Sequence, residues 1–239
     1  MTDLSAFNVT NFPCGSQNLQ ILAGLPAEAS PSSNATAITE AESNSSNTSS
    51  VMQLLYPENS IDPAQKPQGG AEFYASPLDL AGAQNVSLEY SVFFSSDFAW
   101  VLGGKLPGLY GGHGGCSGGN PATDCFSTRL MWRPDGEGEL YLYAPKDKQT
   151  DALCDDPQSV CDAAYGFSVG PLNTPGQQDG GFTLDVDGKR VIDRSDVFYR
   201  DSIPAPTSVL TFFGGHEKEY ASPKNQLVWF DGFAMWINE

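Results

Sequence analysis

One short stretch of the chain brings four polar side chains within reach of each other. Residues 126–144 read Phe-Ser-Thr-Arg-Leu-Met-Trp-Arg-Pro-Asp-Gly-Glu-Gly-Glu-Leu-Tyr-Leu-Tyr-Ala. Two strand-like runs flank a Pro-Asp-Gly turn, a strong hairpin signal. Alternate residues of a strand share a face. Ser127 and Arg129 therefore lie on one face, and Tyr141 and Tyr143 share a face of the return strand. With the turn centred on Asp135, Arg129 falls opposite Tyr141 and Ser127 opposite Tyr143, with Cβ atoms about 4.5–5.5 Å apart. A slip of one residue would turn every side chain over. A planar guanidinium is suited to gripping a carboxylate. A phenol becomes a proton donor or acceptor near neutrality once a cation beside it lowers its pKa. An ordinary solvent-facing sheet surface would carry the same residue types.

Upstream lies Gly103-Gly104-Lys105-Leu106-Pro107-Gly108-Leu109-Tyr110-Gly111-Gly112. It is not a phosphate loop, because no Ser or Thr follows Lys105 and the glycine spacing is wrong. Gly104 would let a long polymer approach the backbone. Lys105, taken alone, reads as a solvated turn residue. His113 follows directly, either as a loop histidine or as a further contact to a ligand. With only two histidines and no G-x-S-x-G elbow, a serine hydrolase triad has few options. Asp185-Val186-Asp187-Gly188 reads as a hairpin turn, not a calcium loop, since the twelfth-position glutamate is missing.

The elements that must position these groups are short and apolar or alternating. They cover 51–56, 86–94, 98–102, 126–132, 139–144, 182–186, 209–213 and 227–237, bounded by Gly, Pro, Asn and Asp. No long helical period occurs, and 25 Gly with 17 Pro argue against a bundle. An all-β jelly roll of two antiparallel sheets is expected, as one domain over 1–239. Residues 28–50, rich in Ser and Asn, read as a flexible surface segment.

The charge balance is 12 Lys and Arg against 29 Asp and Glu, a net −17. Such a surface repels nucleic acid, and no run of 18 apolar residues suggests a membrane helix. Cys116 with Cys125 and Cys154 with Cys161 are close in sequence and read as two local disulfides, leaving Cys14 over. Five reduced thiols would be the intracellular alternative. Sequons at Asn8, Asn34, Asn44, Asn47 and Asn85 favour secretion.

The block 98–112, with its Gly-Gly-Lys-Leu-Pro-Gly-Leu-Tyr-Gly-Gly core, resembles polysaccharide lyases of families 14 and 20, most closely the fungal glucuronan lyases of family 20. Residues 126–132, 141–145, 56–58 and 229–236 add to the likeness, which spans 51–239. The resemblance implies a jelly roll whose concave face holds a uronic-acid polymer. It implies a site of Lys105, Ser127, Arg129, Tyr141 and Tyr143 acting on an acidic polysaccharide; a monomer without an organic cofactor is expected. Enzymes of this kind can also carry a structural calcium ion, for which Glu58, Asn59 and Asp231 are the candidate ligands. One departure is a stretch of the family pattern missing between Gly170 and Pro171.

A β-eliminating lyase removes H5 of a 4-linked uronide and expels the 4-oxygen. Neutralising the adjacent carboxylate stabilises the enolate-like transition state, a role for Arg129. Lys105 as base with Tyr143 as acid, or the reverse, satisfies the proton transfers, while Ser127 and Tyr141 bind the sugar. A non-catalytic carbohydrate-binding module is the alternative, and a glycoside hydrolase would need two facing carboxylates.

Overall fold

The computed structural model describes residues 3–26, 50–112, 116, 122–157, 159, 180–199, 208–211 and 215–238. Its strands are β1 (Val9–Cys14), β2 (Leu19–Ala23), β3 (Ser50–Tyr56), β4 (Ala71–Ala75), β5 (Val86–Phe94), β6 (Gly104–Gly112), β7 (Cys125–Trp132), β8 (Gly138–Tyr143), β9 (Gly180–Val186), β10 (Lys189–Val197), β11 (Ser208–Thr211) and β12 (Gln226–Ile237). The one α-helix among the described residues, α1 (Asp151–Asp155), is little more than a turn.

One layer has the order β2-β3-β12-β5. The other is built from β1-β4-β11 and β6-β7-β8, with β11 lying beside β6. All described pairings are antiparallel. Alternation along the strands fills the space between the layers: Met52, Leu54 and Tyr56 from β3 and Val228 and Phe230 from β12 meet Ala71, Phe73 and Ala75 from β4, Leu106 from β6 and Trp132 from β7. A second cluster, with Phe126, Leu140, Leu142, Val197 and Tyr199, supports β7 and β8 from below. This is the jelly-roll architecture the strand pattern leads one to expect.

Residues 3–26 form two strands that the sequence reading does not place. β1 joins β4 in one layer and β2 joins β3 in the other. Between them Gly15 turns with φ +77°, where a Cβ would lie 2.2 Å from the Gly70 carbonyl oxygen. Buried Asn18 donates to the Gln68 and Gly70 carbonyls at 2.8 and 3.0 Å. These strands escape sequence reading because each is only five or six residues long and half exposed.

Residues 98–102 do not form the expected strand. Val101 takes φ +48°, and the run is apolar because Phe98 and Trp100 pack against Phe94 and Trp132. The glycine-rich block that follows is the strand instead. Ser50 opens β3, and the rest of 28–50 lies outside the described residues, as does the Gly170–Pro171 junction. The Asp187-Gly188 turn does close a hairpin between β9 and β10, both residues at positive φ. Of the four tryptophans, Trp132 and Trp229 are buried, Trp100 is half-buried, and Trp236 is exposed.

Candidate active site

The hairpin has the register that the Asp135-centred turn predicts. Ser127 pairs with Tyr143 and Arg129 with Tyr141. Phe126, Leu140, Leu142 and Ala144 point into the lower core, so Ser127, Arg129, Tyr141 and Tyr143 occupy the opposite face. Asp135 and Gly136 both have positive φ, which fits the Asp-Gly sequence at the turn.

Lys105 reaches this face through an irregularity in β6. It pairs with Met131, while Gly108 pairs with Arg129. Three steps on β6 thus match two on β7, a bulge of one residue. Strict alternation would put Lys105 and Tyr110 on opposite faces, but the bulge brings both to the outer one, with Leu106 in the core. Pro107, which has no N–H for a ladder, sits in the irregularity. Gly108 is required there, because a Cβ would lie 1.9 Å from the Thr128 carbonyl oxygen.

The cations and rings are then packed together. Lys105 Nζ lies 4.9 Å from the Tyr141 ring centroid, and Arg129 Cζ lies 5.6 and 5.4 Å from the Tyr141 and Tyr143 rings. The two rings stand 5.6 Å apart. Arg129 is 1% exposed and Ser127 is fully buried. Among the described residues, Arg129 Nε and Nη1 and Ser127 Oγ have no hydrogen-bond partner. Buried donors of this kind are costly to leave unmet. Their arrangement fits an incoming carboxylate, which accepts from a guanidinium fork.

The backbone of disulfide-bonded Cys116 lies beside the guanidinium. Cys116 is bonded to Cys125, its carbonyl accepts from Arg129 Nη2 at 3.5 Å, and its N–H donates to the Tyr110 hydroxyl at 2.5 Å. Tyr110 packs edge-on against Tyr74 of β4 at 5.2 Å. On β4, Ala71, Phe73 and Ala75 face the core, leaving Glu72 and Tyr74 on the side of the site. Glu72 accepts from the Tyr74 hydroxyl at 3.4 Å and from Cys14 Sγ at 3.7 Å.

Burial, followed by the charges of Arg129 and Arg133, brings the Lys105 ammonium down to about 7. Burial raises the Glu72 carboxyl despite the opposing pull of Arg129 and Lys105. It also raises the Tyr110 phenol. Cys14, the free thiol, is pushed up to about 11 by burial and by Glu72. An amine whose proton is loosened by burial and by neighbouring cations, a buried guanidinium with unmet donors and two phenols can together bind a carboxylate and move a proton beside it.

Comparison with known proteins gives this constellation its setting. The family model for polysaccharide lyase 14 matches residues 44–171 and 170–233.

The chain belongs to polysaccharide lyase family 14.

Of the two families the sequence resembles, family 14 is the one this match shows. The marine family 14 alginate lyase from Aplysia kurodai superimposes with a TM-score of 0.74 at 26% identity, over 98% of this chain and 93% of its own. The alginate lyase vAL-1 from Chlorella virus does so with a TM-score of 0.66 at 26% identity, over 80% of this chain and 86% of its own. Alginate lyase Aly36B shares the fold, with a TM-score of 0.60 at 21% identity over 77% of this chain and 80% of its own. No curated protein matches.

Within this family 14 chain the remaining sequence candidates fall as follows. Gly104 is a packing glycine: a Cβ would lie 2.0 Å from Trp132 Cζ2, on the core side. His113 and Cys161 lie outside the described residues, and Cys154 is disulfide-bonded. The candidate calcium ligands do not converge. Asn225 Oδ1 accepts from the Glu58 N–H at 2.8 Å, beyond the Tyr56–Gln226 pair, and Asn59 donates its N–H to Ser222. Asp231 lies five residues further along β12, about 16 Å away at strand rise, and caps its own bulge at Gly232. Among the described residues no three carboxylate, thiol or imidazole groups gather for a metal. Calcium therefore enters no step below.

The sequence reading missed Glu72, Tyr74, Tyr110 and the Cys116 backbone. Only Tyr110 carried a signal: a proline inside a strand marks a bulge, and the bulge turns Tyr110 towards Lys105.

Proposed function

We propose that this chain cleaves a 4-linked polyuronate, glucuronan or a related polymer such as alginate, by β-elimination outside the cell. The observation that carries the reading is the buried Arg129 fork, with Nε and Nη1 unpartnered among the described residues and Lys105, Tyr141 and Tyr143 packed around it. The uronate carboxylate accepts from Arg129 and Ser127, which acidifies H5 and stabilises the charge that develops on its removal. Lys105, as the neutral amine, takes H5. The electron pair forms the C4–C5 double bond, the C4–O4 bond breaks, and the Tyr143 hydroxyl protonates O4. Exchange with solvent returns Lys105 and Tyr143 to their starting states. Tyr141, beneath the Lys105 ammonium, holds it over the ring. Two disulfides and exposed sequon residues Asn8 and Asn85 support an extracellular setting.

The test is incubation with glucuronan, alginate and a neutral glucan, following the ultraviolet absorbance of the unsaturated uronate. Absorbance rising on a uronate polymer supports the lyase. Binding without absorbance indicates a carbohydrate-binding module, and reducing ends without absorbance a hydrolase. Lys105→Ala and Tyr143→Phe should each lower kcat by about 10²–10⁴-fold, with circular dichroism unchanged. Full rate in both variants would overturn the assignment.

A further inference from the structure

We infer that Arg133, aimed by Glu139, forms a second carboxylate subsite for a polyuronate chain, one that grips a sugar away from the bond being cut. The inference deepens the proposed reading and rests on Arg129 as the receptor for the reacting uronate.

The strand register places Arg133 in line with the site. Alternation along β7 puts Ser127, Arg129 and Met131 on the outer face. Arg133, just past the strand, keeps an extended backbone at φ −117° and ψ −176° and continues the series. Trp132, between Met131 and Arg133, points into the core. Partners across the ladders make successive rows: Ser127 with Tyr143, Arg129 with Tyr141, then Met131 flanked by Lys105 and Glu139. Arg133 stands one row beyond. Four residues at strand rise separate it from Arg129 by about 13 Å, farther than one pyranose ring extends. A chain lying along β7 therefore meets Arg129 with one uronate and Arg133 with another. Lys105, Arg129 and Arg133 follow one another within three rows, in a chain that has only 12 Lys and Arg.

The Arg133 side chain is held before any ligand arrives. It lies over Gly103, where a Cβ would sit 3.5 Å from Arg133 Cδ and 3.6 Å from Nη1. The Arg133 N–H donates to the Glu137 carbonyl at 2.8 Å, and the Arg133 carbonyl accepts from the Gly136 N–H at 3.1 Å, which anchors the backbone to the turn. Glu139 accepts from Nε at 2.5 Å and from Nη2 at 2.8 Å. A guanidinium carries five N–H groups, and this pairing uses one edge of it. The other edge, Nη1 with the second Nη2 hydrogen, makes no hydrogen bond among the described residues, and the side chain is 30% exposed. A planar fork of this kind takes a carboxylate on two donors at once. Because Glu139 already fixes the rotamer, little side-chain freedom is lost when the polymer binds.

Affinity is measured by isothermal titration in a Tyr143→Phe background, where cleavage is slow, with glucuronan and alginate as the polymers. Glucuronate monomer, which cannot span the two guanidinium groups, is followed by ligand-observed NMR. Arg133→Gln combined with Glu139→Gln removes both charges together and leaves the net charge unchanged. This double variant should bind at least one polymer about 10-fold more weakly, with monomer binding unaltered. With Tyr143 restored, the same two changes should raise KM for that polymer by a similar factor and hold kcat, as expected for lost uniform binding. Glu139→Gln alone, which keeps the cation, should weaken binding less than the double variant. A merely structural ion pair would lower the melting temperature and leave both affinities alone, or weaken both alike; either result would overturn the inference. Should the double variant fail to fold, Arg133→Lys decides, because it keeps the charge and loses the fork. Weaker polymer binding then supports the subsite, and parental affinity overturns it. Titration reads binding whether or not bonds break. Affinity lost in the variant without any cleavage by the parent leaves the subsite standing and sinks the lyase reading, whereas cleavage with affinity and KM unchanged does the opposite. A parent that binds neither polymer overturns both.

Discussion

In an unfolded chain the Lys105 ammonium keeps its proton to about 10.5, whereas the folded environment releases it at about 7. Between those values the unfolded state binds more protons than the folded one, so this group makes stability rise with pH across that window. Below about 7 both states are protonated and its contribution is flat and unfavourable. Lys105→Met removes the difference. Urea midpoints measured from pH 7.5 to 9.5 should rise less steeply with pH in Lys105→Met than in the parent protein, and equal slopes would contradict the shift. At this scale the sequence was partly legible. Ser127, Arg129, Tyr141 and Tyr143 obey a period of two on either side of a turn whose residues announce it. The face on which Lys105 lies depends on one inserted residue, which spacing alone does not reveal. Glu72 lies 33 positions before Lys105 in a five-residue strand of otherwise small or aromatic side chains, and only the sheet order places it on the side of the site.

Strands β6 and β7 owe their contact to residues that lack side chains. A Cβ at Gly104 would lie 2.0 Å from Trp132 Cζ2, and Trp132 is 2% exposed among Tyr56, Phe94 and Phe98. The indole cannot retreat without displacing them. Gly104→Ala should therefore destabilise by roughly 1–3 kcal/mol. Gly138→Ala, at the start of β8 with nothing within 4 Å, should be close to neutral, and guanidinium unfolding of the two variants compares them directly. Long strands with an apolar face, such as β5 and β12, are visible in the sequence because burial imposes alternation. β10 is not, since Lys189–Val197 is largely exposed and charged and is held by its ladder to β9. β6 reads as a loop because five of its nine residues are Gly or Pro, chosen for close approach rather than strand propensity.

For the whole molecule, the net charge of −17 opposes the approach of a polyanion, although the site itself is cationic. The two fields differ in range. At about 0.01 M salt the Debye length is roughly 30 Å and the distant acidic surface is felt; at 0.15 M it is about 8 Å and local groups dominate. KM for a polyuronate should fall as salt is raised between these concentrations, and a KM that climbs throughout would show that the global charge is irrelevant to capture. Fold class was legible at this scale because Gly and Pro punctuation, short apolar runs and absent helical periodicity all agree. How the layers are tied together was not. The N-terminal arm lays one strand on each sheet, pivoting at Gly15. A chain lacking this arm would bare the outer edges of β3 and β4 together. A peptide spanning residues 3–26 could zip back onto both, so the molecule is suited to fragment complementation, with Cys14 returning beside Glu72 only when the second piece binds.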